Sequence, residues 1–281
     1  MAARILTVNA DDFGFTRGVN RGIVDCHLRG ILTATTLMAN GEAFEDAVRL
    51  ARETPTLDIG AHLVLVQGRS VRTGRPLPAT VAALVRALAL ARLDPYEELK
   101  AQLEKILAAG VRITHLDTHK HTHLLPPVLD AVLRLAQEYG VRWVRRPFDL
   151  PLPASRRGVP AGVRLARRAM RAMEQRMTER IRRAGCQTTD HFAGFQWTGR
   201  FESEDVVSLL KALPEGVTEF MTHPGYCDDE LRRARTRLRE SREAELRALT
   251  DPRVREALRE AGIRLASYAE LDATGNGAQR P

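Results

Sequence analysis

Residues 5–14 read Ile5-Leu6-Thr7-Val8-Asn9-Ala10-Asp11-Asp12-Phe13-Gly14, an apolar, β-branched run that ends in two adjacent carboxylates. Such a run predicts a buried strand. Neighbouring side chains of a strand point to opposite faces, so Asp11 and Asp12 can have different roles only where the strand ends and the backbone turns. Adjacent acids repel each other unless one is protonated or a cation lies between them, and a divalent metal ion is the simplest such cation.

An alternative role for the acidic pair is to cap a helix that starts near Thr16, because Asp is a good N-cap. Capping requires only one Asp, and Thr16 can itself cap the helix. The sequence therefore favours a functional role for the pair.

The composition sets the class of protein. A chain of 281 residues, 44% of them apolar, can bury one large core or two modest ones. A predicted strand begins by residue 5, which leaves no room for a signal peptide. No apolar run approaches the ~20 residues of a membrane span, and we expect a cytoplasmic protein. The cysteines lie far apart without a C-x-x-C pair, which argues against a disulfide frame or a zinc knuckle.

The net charge of +8 is local, because residues 155–183 hold ten Arg and two Glu and the remaining residues balance. Nucleic acid is therefore not an expected partner. Apolar residues recur there at three- and four-residue steps, which predicts an amphipathic helix, at Val163, Ala166, Met170, Met173, Met177 and Ile181. This Arg-rich helical insertion either packs on the fold with a solvated arginine face or binds anionic lipid headgroups or a phosphorylated substrate through Arg167, Arg168 and Arg171.

Predicted strands and helices alternate along the whole chain, which indicates a parallel β/α architecture. Four candidate groups fall at the C-terminal ends of predicted strands, which meet in one pocket in a β/α barrel: Asp11-Asp12, His62, His119 and His223. No Gly-x-Gly-x-x-Gly follows the first strand, so a dinucleotide fold lacks support. We predict one α/β domain over residues 1–274, an irregular TIM-barrel-like β/α barrel, followed by a flexible tail at 275–281.

The richest stretch is Thr114-His115-Leu116-Asp117-Thr118-His119-Lys120-His121-Thr122-His123, in a predicted strand over 111–123. Every odd position is His or Asp, so an extended chain would place five polar side chains on one face. Buried polar groups need partners, and this pattern predicts a metal or catalytic site. His119 and His123 are four residues apart and would both bind one metal if the chain turned helical, as in the polysaccharide deacetylases; His62 would then be spare.

Four motifs resemble the YdjC-type carbohydrate deacetylases, the relatives of diacetylchitobiose deacetylase and of the deacetylase associated with hopanoid biosynthesis. They are Val-Asn-Ala-Asp-Asp-Phe-Gly at 8–14, Gly-x-His-Leu at 60–63, Thr-His-Leu-Asp-x-His-x-His-x-His-x-x-Pro at 114–126 and Thr-His-Pro-Gly at 222–225. The resemblance implies a metal-dependent hydrolase on a barrel-like β/α fold that removes acetyl groups from N-acetylated sugars.

Carried over by position, the resemblance implies that Asp12, His62 and His119 hold a divalent metal ion, commonly magnesium. It also implies that Asp11 is the catalytic base. The candidates for the substrate pocket are His121, His123, Arg145 and His223.

The chemistry of the residues supports the same roles. Amide hydrolysis needs a nucleophilic water, a site for the oxyanion and a proton for the departing amine. A metal on three protein ligands keeps positions open for water and the amide oxygen. Asp11 can take the proton of the water, and His223 can protonate the amine. Two imidazoles and a carboxylate also suit zinc, so the choice between magnesium and zinc stays open.

Two other function classes stay open. A metal-dependent phosphoesterase also uses Asp and His clusters, although it usually needs more metals and more carboxylates. A non-enzymatic protein would bind nucleic acid or an anionic membrane through the helix of residues 155–183. The expected partner is an N-acetylated sugar; peripheral membrane contact through the Arg-rich helix and a homodimer are further options.

Overall fold

The computed structural model describes residues 3–151 and 161–274, apart from the side chains of residues 161 and 163–172. The strands are β1 (Arg4–Phe13), β2 (Ala34–Leu37), β3 (Asp58–Leu63), β4 (His115–Thr118), β5 (Trp143–Val144), β6 (His191–Ala193), β7 (Gly216–Thr222) and β8 (Ile263–Leu265). The helices are α1 (Arg17–Arg29), α2 (Phe44–Glu53), α3 (Val81–Ala89), α4 (Pro95–Ala108), α5 (Pro126–Glu138), α6 (Ala161–Arg183), α7 (Ser203–Ala212), α8 (Asp229–Arg233), α9 (Glu240–Thr250), α10 (Pro252–Glu260) and α11 (Tyr268–Ala273).

All strands belong to one parallel sheet in the order β5-β4-β3-β2-β1-β7-β6, and β8 pairs with the first residues of β1. The outer strands are very short, and isolated parallel bridges join their two sides, Trp143 to Gln187 and Asp149 to Phe192. The sheet therefore curls into a barrel whose seam consists of bridges instead of a continuous ladder. This confirms the predicted irregular β/α barrel.

The inside of the barrel changes from apolar to polar along the strands. At the N-terminal ends, Ile5, Trp143 and Val217 form an apolar cluster with Tyr268. One layer higher, the ring of His115 stacks on Tyr268 with centroids 4.0 Å apart. Charged side chains follow toward the C-terminal ends, while alternate residues of β1 such as Leu6 and Val8 belong to the larger apolar core. Because side chains alternate along a strand, one set of β1 residues packs in the apolar core and the other set lies inside the barrel, where the candidate site is.

The acidic pair lies within β1 and not after it, which differs from the expected strand end. The pairing of β1 with β2 shifts register between Ala10 and Phe13, and Asp12 has a left-handed backbone with φ of 71°. Asp tolerates this conformation better than most residues. The capping alternative is wrong, because Thr16 is the N-cap of α1 and its Oγ1 accepts a hydrogen bond from the Val19 N–H at 3.2 Å.

The histidine-rich stretch is extended only at its start, so the prediction of five side chains on one face is wrong. Strand β4 ends at Thr118, and residues 119–124 form a 3-10 turn in which Lys120 and His121 have left-handed backbones. The turn closes because Thr118 Oγ1 accepts a hydrogen bond from the His123 N–H at 3.0 Å. Pro126 then starts α5.

The predicted amphipathic helix is present as α6, where Met177 and Ile181 are buried whereas Met173 is 39% exposed. Arg180 pairs with Asp130 of α5. Residues 155–160, the side chains of Arg167, Arg168 and Arg171, and the tail 275–281 lie outside the described residues. Membrane contact through this helix therefore stays a prediction. Among the described residues, no helix combines the length and apolarity needed to cross a bilayer.

Helix α1 approaches the loop after β7 so closely that only glycine fits. A Cβ added to Gly22 would lie 2.5 Å from Cα of Gly225. We expect Gly22→Ala to lower the free energy of unfolding by about 1–3 kcal/mol, because the backbone of the loop would have to move. Urea denaturation measures the change. The control is Gly162→Ala in α6, where an added Cβ meets no described atom within 4 Å. Equal losses in both variants would contradict this close packing.

Candidate active site

Three of the predicted residues bring their ligand atoms together at the C-terminal end of the barrel. His62 Nε2 lies 3.4 Å from Asp12 Oδ1 and 3.2 Å from His119 Nδ1. His119 Nδ1 lies 3.3 Å from the same Asp12 oxygen. The bulge of β1 positions Asp12, the end of β3 positions His62, and the 3-10 turn after β4 positions His119.

This triad has the properties of a metal site. Asp12 Oδ1 is buried and accepts no hydrogen bond of good geometry, although His62 Nε2 and His119 Nδ1 lie 3.4 and 3.3 Å away. A cation or a water molecule between these groups would satisfy it. Three donors around a tetrahedral ion with bonds of about 2.0–2.1 Å lie about 3.3 Å from each other, which matches the observed spacing. Asp12 and His62 are buried and His119 is partly exposed. The triad could therefore bind a metal ion.

The other nitrogen of His62 is held by Asp117, which sequence reasoning left without a role. His62 Nδ1 donates to Asp117 Oδ1 at 2.6 Å, so Nε2 faces Asp12 and His119. Burial disfavours the imidazolium, but Asp117 and Asp11 outweigh this and raise the pKa of His62 to about 10. A carboxylate behind a ligating histidine fixes the ring and strengthens it as a ligand.

Asp11 lies beside the triad, and Arg145 binds both of its oxygens at 2.7 and 2.8 Å. The same guanidinium contacts Asp117 and Glu219, each at 2.6 Å. Burial opposes ionisation of Asp11, but Arg145 holds the pKa of this carboxyl well below its usual range. Burial raises the pKa of Glu219 in spite of the same guanidinium. Arg145 is thus a buried counter-ion for three carboxylates.

His223 lies in the loop after β7, with Nε2 3.9 Å from Asp11 Oδ2. Burial lowers its pKa to about 4, although Asp11 and Asp12 oppose the shift, so the ring is neutral at pH 7. Its Nδ1 is buried without a partner. Its backbone N–H donates to Glu245 at 2.5 Å. Burial raises the pKa of Glu245 to about 7.

The two remaining candidates for the substrate pocket, His121 and His123, lie in different surroundings. His123 has both ring nitrogens engaged, Nδ1 with Thr118 at 2.5 Å and Nε2 with the carbonyl of Arg145 at 3.1 Å. It is not brought to the triad. His121 is buried against Phe192 and Phe195, and its Nδ1 has no partner. Contact of these residues with substrate stays a prediction.

A second cluster of possible ligands consists of Asp11, His62 and Asp117. Arg145 already binds both carboxylates, and Asp117 already accepts from His62. A metal ion there would displace these contacts, whereas Asp12 Oδ1 in the triad makes no contact with an arginine among the described residues. We therefore regard Asp12, His62 and His119 as the better donor set.

Sequence reasoning missed Glu219, Arg242 and Glu245. Arg242 binds Asp12 Oδ2 at 2.5 Å, and the two residues of α9 are spaced three apart so that they share one helix face. Their helix reads as a strongly charged segment, and such segments are usually solvated. For Glu219, a lone acid inside the apolar run of β7 was a usable signal, because a buried charge requires a partner.

Removal of the Arg145 guanidinium tests this network of buried carboxylates. We expect Arg145→Met to lower the free energy of unfolding by about 3–5 kcal/mol at pH 8, because buried carboxylates lose their counter-ion. Their pKa values rise in the variant, so they take up protons as the pH falls and the loss shrinks at pH 5.5. Urea denaturation at both pH values measures this. Arg253→Met, which removes exposed ion pairs, should change little, and an equal loss at both pH values would contradict the assignment.

Comparisons with known proteins agree with the resemblance in the motifs. The family described as YdjC-like protein matches residues 5–260. Carbohydrate deacetylase of Brevibacillus brevis is 33% identical over 272 residues, covering 95% of this chain and 99% of that protein. Carbohydrate deacetylase of Geobacillus stearothermophilus is 34% identical over 280 residues, covering 95% and 98%.

Among solved structures, a protein of Enterococcus faecalis V583, whose description proposes cellobiose-phosphate cleavage, is similar to the whole fold. It has a TM-score of 0.71 and 26% sequence identity, and the match covers 96% of this chain and 99% of that chain. The family predicted from the four motifs is thereby confirmed, and this chain belongs to the YdjC-like family.

Proposed function

We propose that this protein is a metal-dependent hydrolase that removes an acetyl group from an N-acetylated amino sugar, either an oligosaccharide or a glycolipid. The observation that carries the proposal is the convergence of Asp12 Oδ1, His62 Nε2 and His119 Nδ1, which lie 3.2–3.4 Å from one another. The names of the curated relatives support the substrate class, since they are carbohydrate deacetylases. A phosphoesterase is less well supported, because the two ligand clusters in the described residues share His62 and phosphoesterases usually use several metals.

In this proposal Asp12, His62 and His119 hold one divalent ion. When bound, such an ion lowers the pKa of a water molecule and polarises the amide carbonyl. The donor set and its spacing suit zinc; octahedral magnesium would bring neighbouring ligands to about 2.9 Å from each other. Magnesium remains the ion implied by the resemblance, and both ions belong in the test.

Asp11 is the proposed base. Its Oδ2, which faces His223, accepts the proton of the nucleophilic water. Because Arg145 keeps the pKa of Asp11 so low, this carboxylate is a weak base and can deprotonate only a strongly acidified water. A dependence of the activity on a metal ion follows from this electrostatic arrangement.

His223 is the proposed proton carrier to the amine. With a pKa of about 4, its ring is neutral at pH 7 and begins the reaction without a proton to donate. It therefore receives the proton from Asp11 Oδ2 at Nε2 and passes it to the departing nitrogen. His121, with an unpartnered Nδ1, is the better candidate of the two remaining histidines for a contact with the sugar.

Two isosteric variants separate the roles of the adjacent acids. We expect Asp11→Asn to keep its metal and to lose roughly 10²–10⁴-fold in kcat, because the base is removed. Asp12→Asn should lose the metal itself. Acetate release from N-acetylated chitooligosaccharides and glycolipids, after metal stripping and add-back of Mg²⁺ or Zn²⁺, measures the activity, and elemental analysis measures the metal.

The same screen includes p-nitrophenyl phosphate as a control substrate. Phosphate release without acetate release would replace the proposal by a phosphoesterase. If neither the unchanged protein nor a variant released acetate or phosphate, and Asp11→Asn bound metal as the unchanged protein does, a non-enzymatic protein would be indicated.

Metal binding should release a proton. The pKa of about 10 means that His62 is protonated at pH 7 without metal, and a metal ion can bind only the neutral ring. We expect about one proton released per Zn²⁺ at pH 7 and an affinity that falls about tenfold per unit as the pH falls. Calorimetry in buffers of different ionisation enthalpy counts the protons. His223→Gln should release the same number, and a count near zero would contradict a protonated His62 that loses its proton to bind the metal.

A further inference from the structure

The two oxygens of Asp12 have opposite surroundings. Oδ1 faces the imidazoles of His62 and His119. Oδ2 accepts a hydrogen bond from Arg242 Nη2 at 2.5 Å. Arg242 is 1% exposed, although no step of the proposed mechanism uses it. A fully buried guanidinium requires such a partner, but the choice of a proposed metal ligand as that partner has chemical consequences.

Arg242 cannot easily leave this position. Its Nε donates to the carbonyl of Leu238 at 3.3 Å, and Nη1 donates to the carbonyl of His223 at 3.5 Å. One turn further along α9, Glu245 is fully buried and accepts from the N–H groups of His223 and Gly199. Helix α9 is thus anchored to the loop after β7 on both sides of the guanidinium.

A carboxylate can bind a metal ion through one oxygen or through both, and the second mode occupies a position that water or substrate would otherwise use. The hydrogen bond from Arg242 commits Oδ2 and leaves only Oδ1 for a metal. The positive charge also draws electron density from the carboxylate and repels a nearby cation. Asp117 has the opposite effect on His62, because a carboxylate behind a ligand strengthens it.

We propose that Arg242 is a positioning residue that confines Asp12 to one ligand oxygen and weakens its hold on the metal, so that positions stay open for water and the amide oxygen. This inference rests on the proposed function. We therefore expect the loss of Arg242 to tighten metal binding, whereas loss of an outer neighbour of a metal ligand ordinarily weakens it.

The test compares Arg242→Gln and Arg242→Lys with the unchanged protein, each as the full chain. Competition with a chromogenic chelator gives the dissociation constant for Zn²⁺, and acetate release gives kcat. We expect Arg242→Gln to bind Zn²⁺ about tenfold more tightly, by the scale of outer-neighbour effects, and to lose kcat. Arg242→Lys keeps the charge and should stay close to the unchanged affinity.

Glu245→Gln is the matched control for damage to α9. It changes an equally buried residue of the same helix that does not contact Asp12, so it should leave the Zn²⁺ affinity close to that of the unchanged protein. If Arg242→Gln folds only with metal, the rise of its unfolding midpoint with Zn²⁺ concentration measures the same affinity.

Weaker or unchanged Zn²⁺ binding in Arg242→Gln would overturn the inference and reduce Arg242 to a structural counter-ion. Failure of the proposed function gives a different result, namely Asp12→Asn with undiminished Zn²⁺ affinity. The two hypotheses can therefore fail separately.

Discussion

One buried guanidinium, that of Arg145, organises the candidate site. It binds both oxygens of Asp11 and contacts Asp117 and Glu219, so three carboxylates can share the interior of the barrel without a disruptive repulsion. Through Asp117 its influence extends to His62, whose Nδ1 donates to that acid and whose Nε2 therefore faces Asp12. The proposed base and a proposed metal ligand are thus oriented by the same cation.

The site is a polar layer on an apolar support. Tyr268 and Trp143 fill the lower part of the barrel, and the stacked ring of His115 forms the transition, with Nε2 bonded to Asn9. Burial lowers the pKa of His115 well below its usual range, so this histidine is a neutral structural element. The histidines of this one motif therefore differ in function. His115 packs on the apolar support, His119 belongs to the triad, and His123 closes the turn after β4.

The sequence predicted the alternation of strands and helices, the helix that begins after Thr16 and the family. These features depend on local patterns of apolar and polar residues, which are visible in one dimension. It did not predict the 3-10 turn after Thr118, because a strict period of two reads as a strand until a side chain closes a turn. Nor did it reveal Arg242 and Glu245, since a buried pair in a charged helix has the composition of a solvated one, and only tertiary packing distinguishes them.

The bulge of β1 has a mechanical consequence. Asp11 and Asp12 are joined by a single peptide unit at the register shift of β1, just beyond Ala10, the last residue before the shift that pairs with both β2 and β7. Arg145 binds Asp11 and Arg242 binds Asp12. Arg145 directly follows β5 at the seam and Arg242 lies on α9, so each acid is tied to a different part of the fold while one peptide unit limits the distance between them.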